Sequence, residues 1–169
     1  PILADVINDY WRTLSGKIQF ISDCGGDDVL KTIQKSIDNG ACACYIHGTV
    51  ADKLVAEENF DLIEQALELI RKNGVPAGIG AHKLATVKAC VEKEFQPDFW
   101  MKTLHNHDYW SAKAEEKLDN IWCEEPEETA AFMKDVEQPW IAFKTLAAGA
   151  IEPQVGFKYA FDNGADFIC

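Results

Sequence analysis

Short apolar runs alternate along this chain with longer stretches in which apolar positions recur at helical spacing. Residues 4–14 read as an amphipathic helix and 17–24 as the first strand. A helix over 27–38 opens with Asp27 and Asp28, which suits its positive end. The second strand covers 41–47, and a helical stretch over 50–72 breaks near Asn59, a good N-cap. The third strand is 76–82, followed by a helix over 84–93, and the fourth strand is 98–104. A polar, aromatic loop runs from 105 to about 125, and Pro126 then opens a helix at its favoured first position. The fifth strand is 140–146, Pro153 opens a further helix, and 166–169 begins a sixth strand.

One junction recurs. Asp38-Asn39-Gly40-Ala41 and Asp162-Asn163-Gly164-Ala165 each end a helix and feed a strand, and Asn73-Gly74 does the same. Glycine there takes the left-handed cap that a repeating β/α unit needs. Strands alternating with helices imply a parallel sheet, either open and doubly wound or curled into a barrel. No strand is followed by the glycine-rich loop of dinucleotide-binding sheets, and polar groups end several successive strands. Both observations favour an α/β fold of the (β/α)8 TIM-barrel type. A whole barrel takes about 250 residues. The 169 residues are therefore expected to form a single domain, 1–169, that is an incomplete barrel of about six β/α units with its first two strands missing. A chain that opens at Pro1 and stops inside a strand is expected to be a piece of a longer one.

Composition narrows the partners. The net charge of −12 argues against nucleic acid and anionic membranes. No apolar run approaches the roughly 18 residues of a membrane span, and no basic-then-apolar leader is visible. The six cysteines include no C-x-x-C pair, and Cys42, Cys44, Cys90 and Cys169 fall inside regular elements. Reduced, mostly buried thiols and a cytoplasmic setting are expected, with Cys24 the exception at a strand end beside Asp23. A homo-oligomer is open on these grounds.

All four histidines lie where a strand gives way to a loop. His47 closes Ala41-Cys-Ala-Cys-Tyr-Ile-His47, His82 closes Pro76-Ala-Gly-Ile-Gly-Ala-His82, and His105 and His107 follow the fourth strand. In parallel α/β folds that edge is the active-site face. Lys102-Thr103-Leu104 recurs as Lys144-Thr145-Leu146 in the next strand.

These residues also carry a resemblance. Gly74-Val-Pro-Ala-Gly-Ile-Gly-Ala-His82, Met101-Lys-Thr-Leu-His105 and Trp140-Ile-Ala-Phe-Lys-Thr-Leu-Ala-Ala-Gly149 resemble a family of bacterial TIM-barrel proteins of unknown function, over most of the chain. That resemblance implies an aldolase-type barrel and no substrate. A narrower one is to class I deoxyribose-phosphate aldolases, which carry a Schiff-base Lys followed by Thr on the sixth strand and a second Lys before a Gly-containing turn on the seventh. Lys102-Thr103 and Lys144 with Ala148-Gly149-Ala150 are similar. The family's Ser after Lys-Thr is Leu104 here, its double Gly is reduced to Gly149, and its acidic strand-four partner has no match.

Three functional readings follow. In the first, strand alternation places Trp100, Lys102 and Leu104 on one face and Trp140, Ala142, Lys144 and Leu146 on another, both turned into the barrel. Two amines on neighbouring strands disfavour a second positive charge, leaving neutral Lys102 to form an imine with a carbonyl substrate. Lys144 perturbs it, and His47 or His82 moves protons. This lyase needs no cofactor. Its candidate substrate contacts are Asp23, Tyr109, Trp110 and Gly149, the last with Ala150 offering N–H groups to a phosphorylated small molecule. In the second reading, His47, His82 and His105, with Asp108, Asp23 or Cys24 completing the set, hold a divalent metal such as zinc for an isomerase, epimerase or hydrolase. The third is a barrel that binds a small molecule without catalysis. The loop carrying Tyr109 and Trp110 is either a lid over the mouth or packing on its rim.

Overall fold

A computed structural model describes residues 2–113 and 120–169. Helix α1 (Ile2–Leu14) precedes β1 (Ile21–Cys24), α2 (Val29–Asp38), β2 (Ala43–Ile46), α3 (Gly48–Ala56), α4 (Phe60–Lys72) and β3 (Ala77–Ala81). Helix α5 (Leu84–Glu92), β4 (Phe99–Thr103), α6 (Pro126–Met133), β5 (Trp140–Phe143), α7 (Pro153–Asp162) and β6 (Phe167–Ile168) follow, with a 3-10 turn at Ala147–Gly149. The six strands pair parallel in chain order, β1 to β6, and the sheet curls into a half-barrel. The β/α alternation read from the sequence is therefore present, as an α/β fold compatible with an incomplete barrel.

The recurring Asn-Gly junction works as expected. Asn39 ends α2, and Gly40, at φ 82°, lets the N–H groups of Gly40 and Ala41 turn back to Ile37 O and Ser36 O. Helices α3 and α4 divide at Glu57–Asn59, although the Asn59 side chain makes no capping bond. Asp28 does cap α2, accepting the Lys31 N–H at 3.0 Å.

Strand register decides which side chains lie under the helices. Ile46 pairs with Ile79, Ile79 with Trp100, Trp100 with Trp140, and Ala81 with Lys102 and Lys102 with Ala142. These strand residues, Lys102 apart, belong to one buried core with Ile33, Ile63, Ile70 and Val87 from the helices. On the same side, Cys24 Sγ lies 3.6 Å from Ser36 Oγ of α2. The opposite, concave side carries Asp23, Tyr45, Phe99 and Met101; the Tyr45 and Phe99 rings meet edge to face, and the glycine at 78 leaves room for the Phe99 ring.

Lys102 therefore starts on the helix side with Trp100, and the expectation that this face lines the barrel interior is corrected. Both alternate sets of Phe99-Trp100-Met101 are large and apolar, so periodicity alone cannot assign the faces of a strand covered on both sides. Strand β5 also ends sooner than expected, at Phe143, which leaves Lys144 beyond it at φ 58°.

Candidate functional site

The C-terminal ends of β1, β2 and β3 bring two histidine–aspartate pairs together. His47 follows β2 and is the N-cap of α3, its Nδ1 accepting the Thr49 N–H at 3.1 Å. Neutral His47 then carries its proton on Nε2, which lies 3.7 Å from Asp23 Oδ2. His82 follows β3, and its Nδ1 is 3.1 Å from Asp52 Oδ2. The two imidazole centroids are 5.9 Å apart. Glycines admit these rings: a Cβ on Gly48 would stand 2.8 Å from the His82 ring, and one on Gly25 3.0 Å from His47 Cβ.

Asp52 is the group that fixes this arrangement. From α3 it receives the His82 N–H at 3.2 Å and the Thr86 hydroxyl at 2.6 Å, so it also caps α5, whose own N-cap residue, Lys83, offers no side-chain bond. Burial pushes its carboxyl up, but hydrogen bonds from His82 and Thr86, then the backbone of Lys83 and His82, outweigh this and the net shift is downward. A buried carboxylate thus holds the proton of His82 on Nδ1. Nε2, the basic nitrogen, has no hydrogen-bond partner among the described residues. Asp23 shifts the other way: burial raises its pKa despite His47, the Tyr45 hydroxyl and His82.

Lys102 ends in a different environment. The residue is 1 % exposed, and its amine donates to His82 O at 2.8 Å, Thr103 O at 2.9 Å and Thr103 Oγ1 at 2.8 Å. Among the described residues no carboxylate is within ion-pair distance. Desolvation lowers its pKa to about 8, partly offset by Cys123, Asp52 and Glu125. Lys144 does not stand beside it on a strand face. Its Nζ sits 4.5 Å above the Trp122 ring and 5.8 Å from that of Phe143, a cation–π seat. Phe143 in turn packs 5.5 Å from the His82 ring, so Lys144 belongs to the same edge.

His105 is not placed to join His47 and His82 on a metal. It is fully buried, and its Nε2 accepts the N–H groups of Trp122 and Cys123 at 3.0 and 3.1 Å, which occupies the lone pair a ligand would use. Among the described residues no three His, Cys, Asp or Glu side chains form a group able to hold a metal ion. Asp108 is exposed, with its N–H on Asn106 Oδ1. Cys24 is buried under α2; a hydrogen bond from Cys44 is the main cause that lowers its thiol to about 7. All six cysteines are free.

The expected substrate contacts also separate. Asp23 is at the histidine cluster. Tyr109 donates to Asn120 O at 2.9 Å and packs 5.9 Å from His105, as rim packing would have it, while Trp110 projects to solvent at 78 % exposure. Residues 114–119 of this loop lie outside the described residues. The N–H groups of Gly149 and Ala150 are bonded to Leu146 O and Ala147 O, so neither is available to a phosphate.

Sequence reasoning missed Asp52, Thr86, Trp122 and Phe143. The signal for Asp52 was present but indirect: α5 begins after Lys83, a poor cap, and so needs a carboxylate from elsewhere. Comparison with known proteins finds no matching family, no matching curated protein and no matching solved structure.

Proposed function

We propose that this half-barrel belongs to an aldolase-type (β/α)8 barrel and that the chain is an enzyme moving protons on a small carbonyl compound at the strand ends. His82 is the general base and His47, with its Nε2–H beside Asp23, the acid partner. The Asp52–His82 pair carries this reading: a carboxylate 3.1 Å from Nδ1 leaves Nε2 without a partner among the described residues, and 18 % side-chain exposure leaves the ring reachable. The six free thiols fit a reducing, cytoplasmic setting. Hydrogen–deuterium exchange at carbon, followed by NMR over a panel of small aldehydes, ketones and 2-oxo acids in D2O, tests it. Exchange catalysed by the native chain falls roughly 10²–10⁴-fold in His82→Ala. Equal exchange in the two proteins defeats the assignment.

A second reading keeps Lys102 as an imine former, because an amine lowered to about 8, with no carboxylate partner among the described residues, holds a sizeable neutral fraction near neutral pH. Borohydride trapping of a carbonyl compound, located by mass spectrometry, tests it: the adduct falls on Lys102 and disappears in Lys102→Arg. An adduct elsewhere removes this reading and leaves the histidine one standing. Metal-dependent chemistry lacks a supporting cluster among the described residues.

A further inference from the structure

His105 spends its whole ring on the backbone. Nδ1 is 2.9 Å from Asn106 O and acts as donor, while Nε2 accepts two N–H groups, from Trp122 and Cys123. Only the neutral Nδ1–H tautomer satisfies this set, because a proton on Nε2 would face two donors. The segment it holds closes the end of β4. Trp122 O is 3.4 Å from Thr103 Oγ1, the hydroxyl that also receives Lys102 Nζ at 2.8 Å. The Trp122 ring is the floor beneath Lys144, and Cys123 O meets His107 Nε2 at 2.7 Å.

We propose that His105 is the latch of an acid-released gate: neutral, it fixes residues 120–123 over the end of β4; protonated, it releases them and opens a path to the Lys102 amine. The groups facing the ring all oppose its charge or are neutral. His107 lies 5.8 Å away on the same loop and Tyr109 at 5.9 Å, Cys123 and Trp122 come from the held segment, and Lys102 and Lys144 stand on the β4 and β5 sides. Desolvation lowers the His105 pKa below its ordinary 6.5, and His107, Lys102 and Lys144 push the same way, against the Asn106 bond. A depressed imidazole stabilises the closed form above its ordinary value, and that contribution drains away as pH falls through the lowered one. The gate does not depend on the chemistry proposed above, since its readouts require no turnover.

Amide hydrogen exchange at Trp122 and Cys123, corrected for intrinsic rates, is the test, in the native chain and in His105→Gln and His105→Ala. The Gln amide oxygen reaches about as far as Nε2 and accepts at any pH. Protection in the native chain falls about tenfold or more between pH 7 and pH 5, at a cost of the order of two lost hydrogen bonds. His105→Gln keeps its protection across that range, and His105→Ala lacks it at pH 7. Acylation of Lys102 at pH 7, measured against exposed Lys158 in the same sample, rises in His105→Ala and not in His105→Gln. The same pH dependence in the native and Gln proteins overturns the proposal, as does an Ala variant with native protection and native labelling. If the Ala variant does not fold, the native–Gln comparison decides alone.

Discussion

At the N-terminal edge of the sheet, polar groups are spent on neighbouring backbone. Asp98 Oδ2 takes the Ala77 N–H at 2.8 Å while its own N–H goes to Ala77 O, and Asp166 repeats the exchange with Trp140 at 2.8 and 3.0 Å. At the C-terminal edge the accounts stay open. Among the described residues His82 Nε2 lacks a partner and Thr145 Oγ1 is buried without one, and Lys144, Ala147 and Ala148 all take positive φ. The other non-glycine residues with positive φ, Ser15, Glu58 and Glu94, are exposed and follow helices α1, α3 and α5 singly. The proposed function draws on the edge where strain and unpaired groups are held together, while the polar groups of the quiet edge are tied up in backbone bonds.

Asp52 breaks this division, because it holds His82 of the proposed site and caps a helix at once. Its side chain is 11 % exposed and serves His82, Lys83 and Thr86 together. Asp52→Ala leaves those donors unpaired at the head of α5 and should cost roughly 2–4 kcal/mol in urea unfolding. Thr86→Val removes one bond and should cost about 1 kcal/mol. If Asp52→Ala is as stable as the native chain, the carboxylate is not buried in this network, and the case for His82 as a fixed base falls with it.

The quiet edge should respond less. Asp98→Ala and Asp166→Ala each free one backbone N–H in a buried residue, and each should lose about 1 kcal/mol. The carbon-exchange activity proposed above should be unchanged in both, since both aspartates sit at the opposite edge of the sheet from His47 and His82. A large activity loss with small stability loss in either variant would erase the contrast between the edges.

How much of this was legible in the residues differs between the edges too. The β/α order, the Asn-Gly turns and the histidines at strand ends follow from local pattern, and local pattern is what a sequence displays directly. The facing of β4 does not. Trp100 and Phe99 are equally apolar, and only register with Ile79 and Trp140 assigns one of them to the helix side. Nor does the partner of a histidine follow from its position. His82 and His105 close adjacent strands in similar fashion, yet one meets a carboxylate 30 residues earlier and the other two amides about 17 residues later. Asp52 comes from the preceding β/α unit, and Trp122 and Cys123 from the far end of the same loop that carries His105, so neither set of partners is adjacent in sequence to the ring it meets. The early end of β5 was hidden for a related reason: Lys144-Thr145-Leu146 copies a strand sequence, but Lys144 takes a positive φ and the chain turns there.

The smallest effect gives the sharpest contrast, because its sign reverses. Ala148 has φ 57° and ψ 29° and is exposed, so it holds left-handed backbone with little side-chain packing in return. That conformation costs an alanine roughly 1–2 kcal/mol, and glycine escapes it, at the expense of about 0.4–1 kcal/mol of extra chain entropy in the unfolded state. Ala148→Gly should therefore stabilise the protein by up to about 1 kcal/mol. Ala150, two residues on, has φ −76°, where glycine relieves nothing. Ala150→Gly should destabilise by about 0.5–1 kcal/mol. Urea unfolding of the two single variants measures the difference directly. Destabilisation by both would mean that residue 148 is not strained in solution, and the strained run would then reduce to Lys144, Ala147 and the glycine that follows.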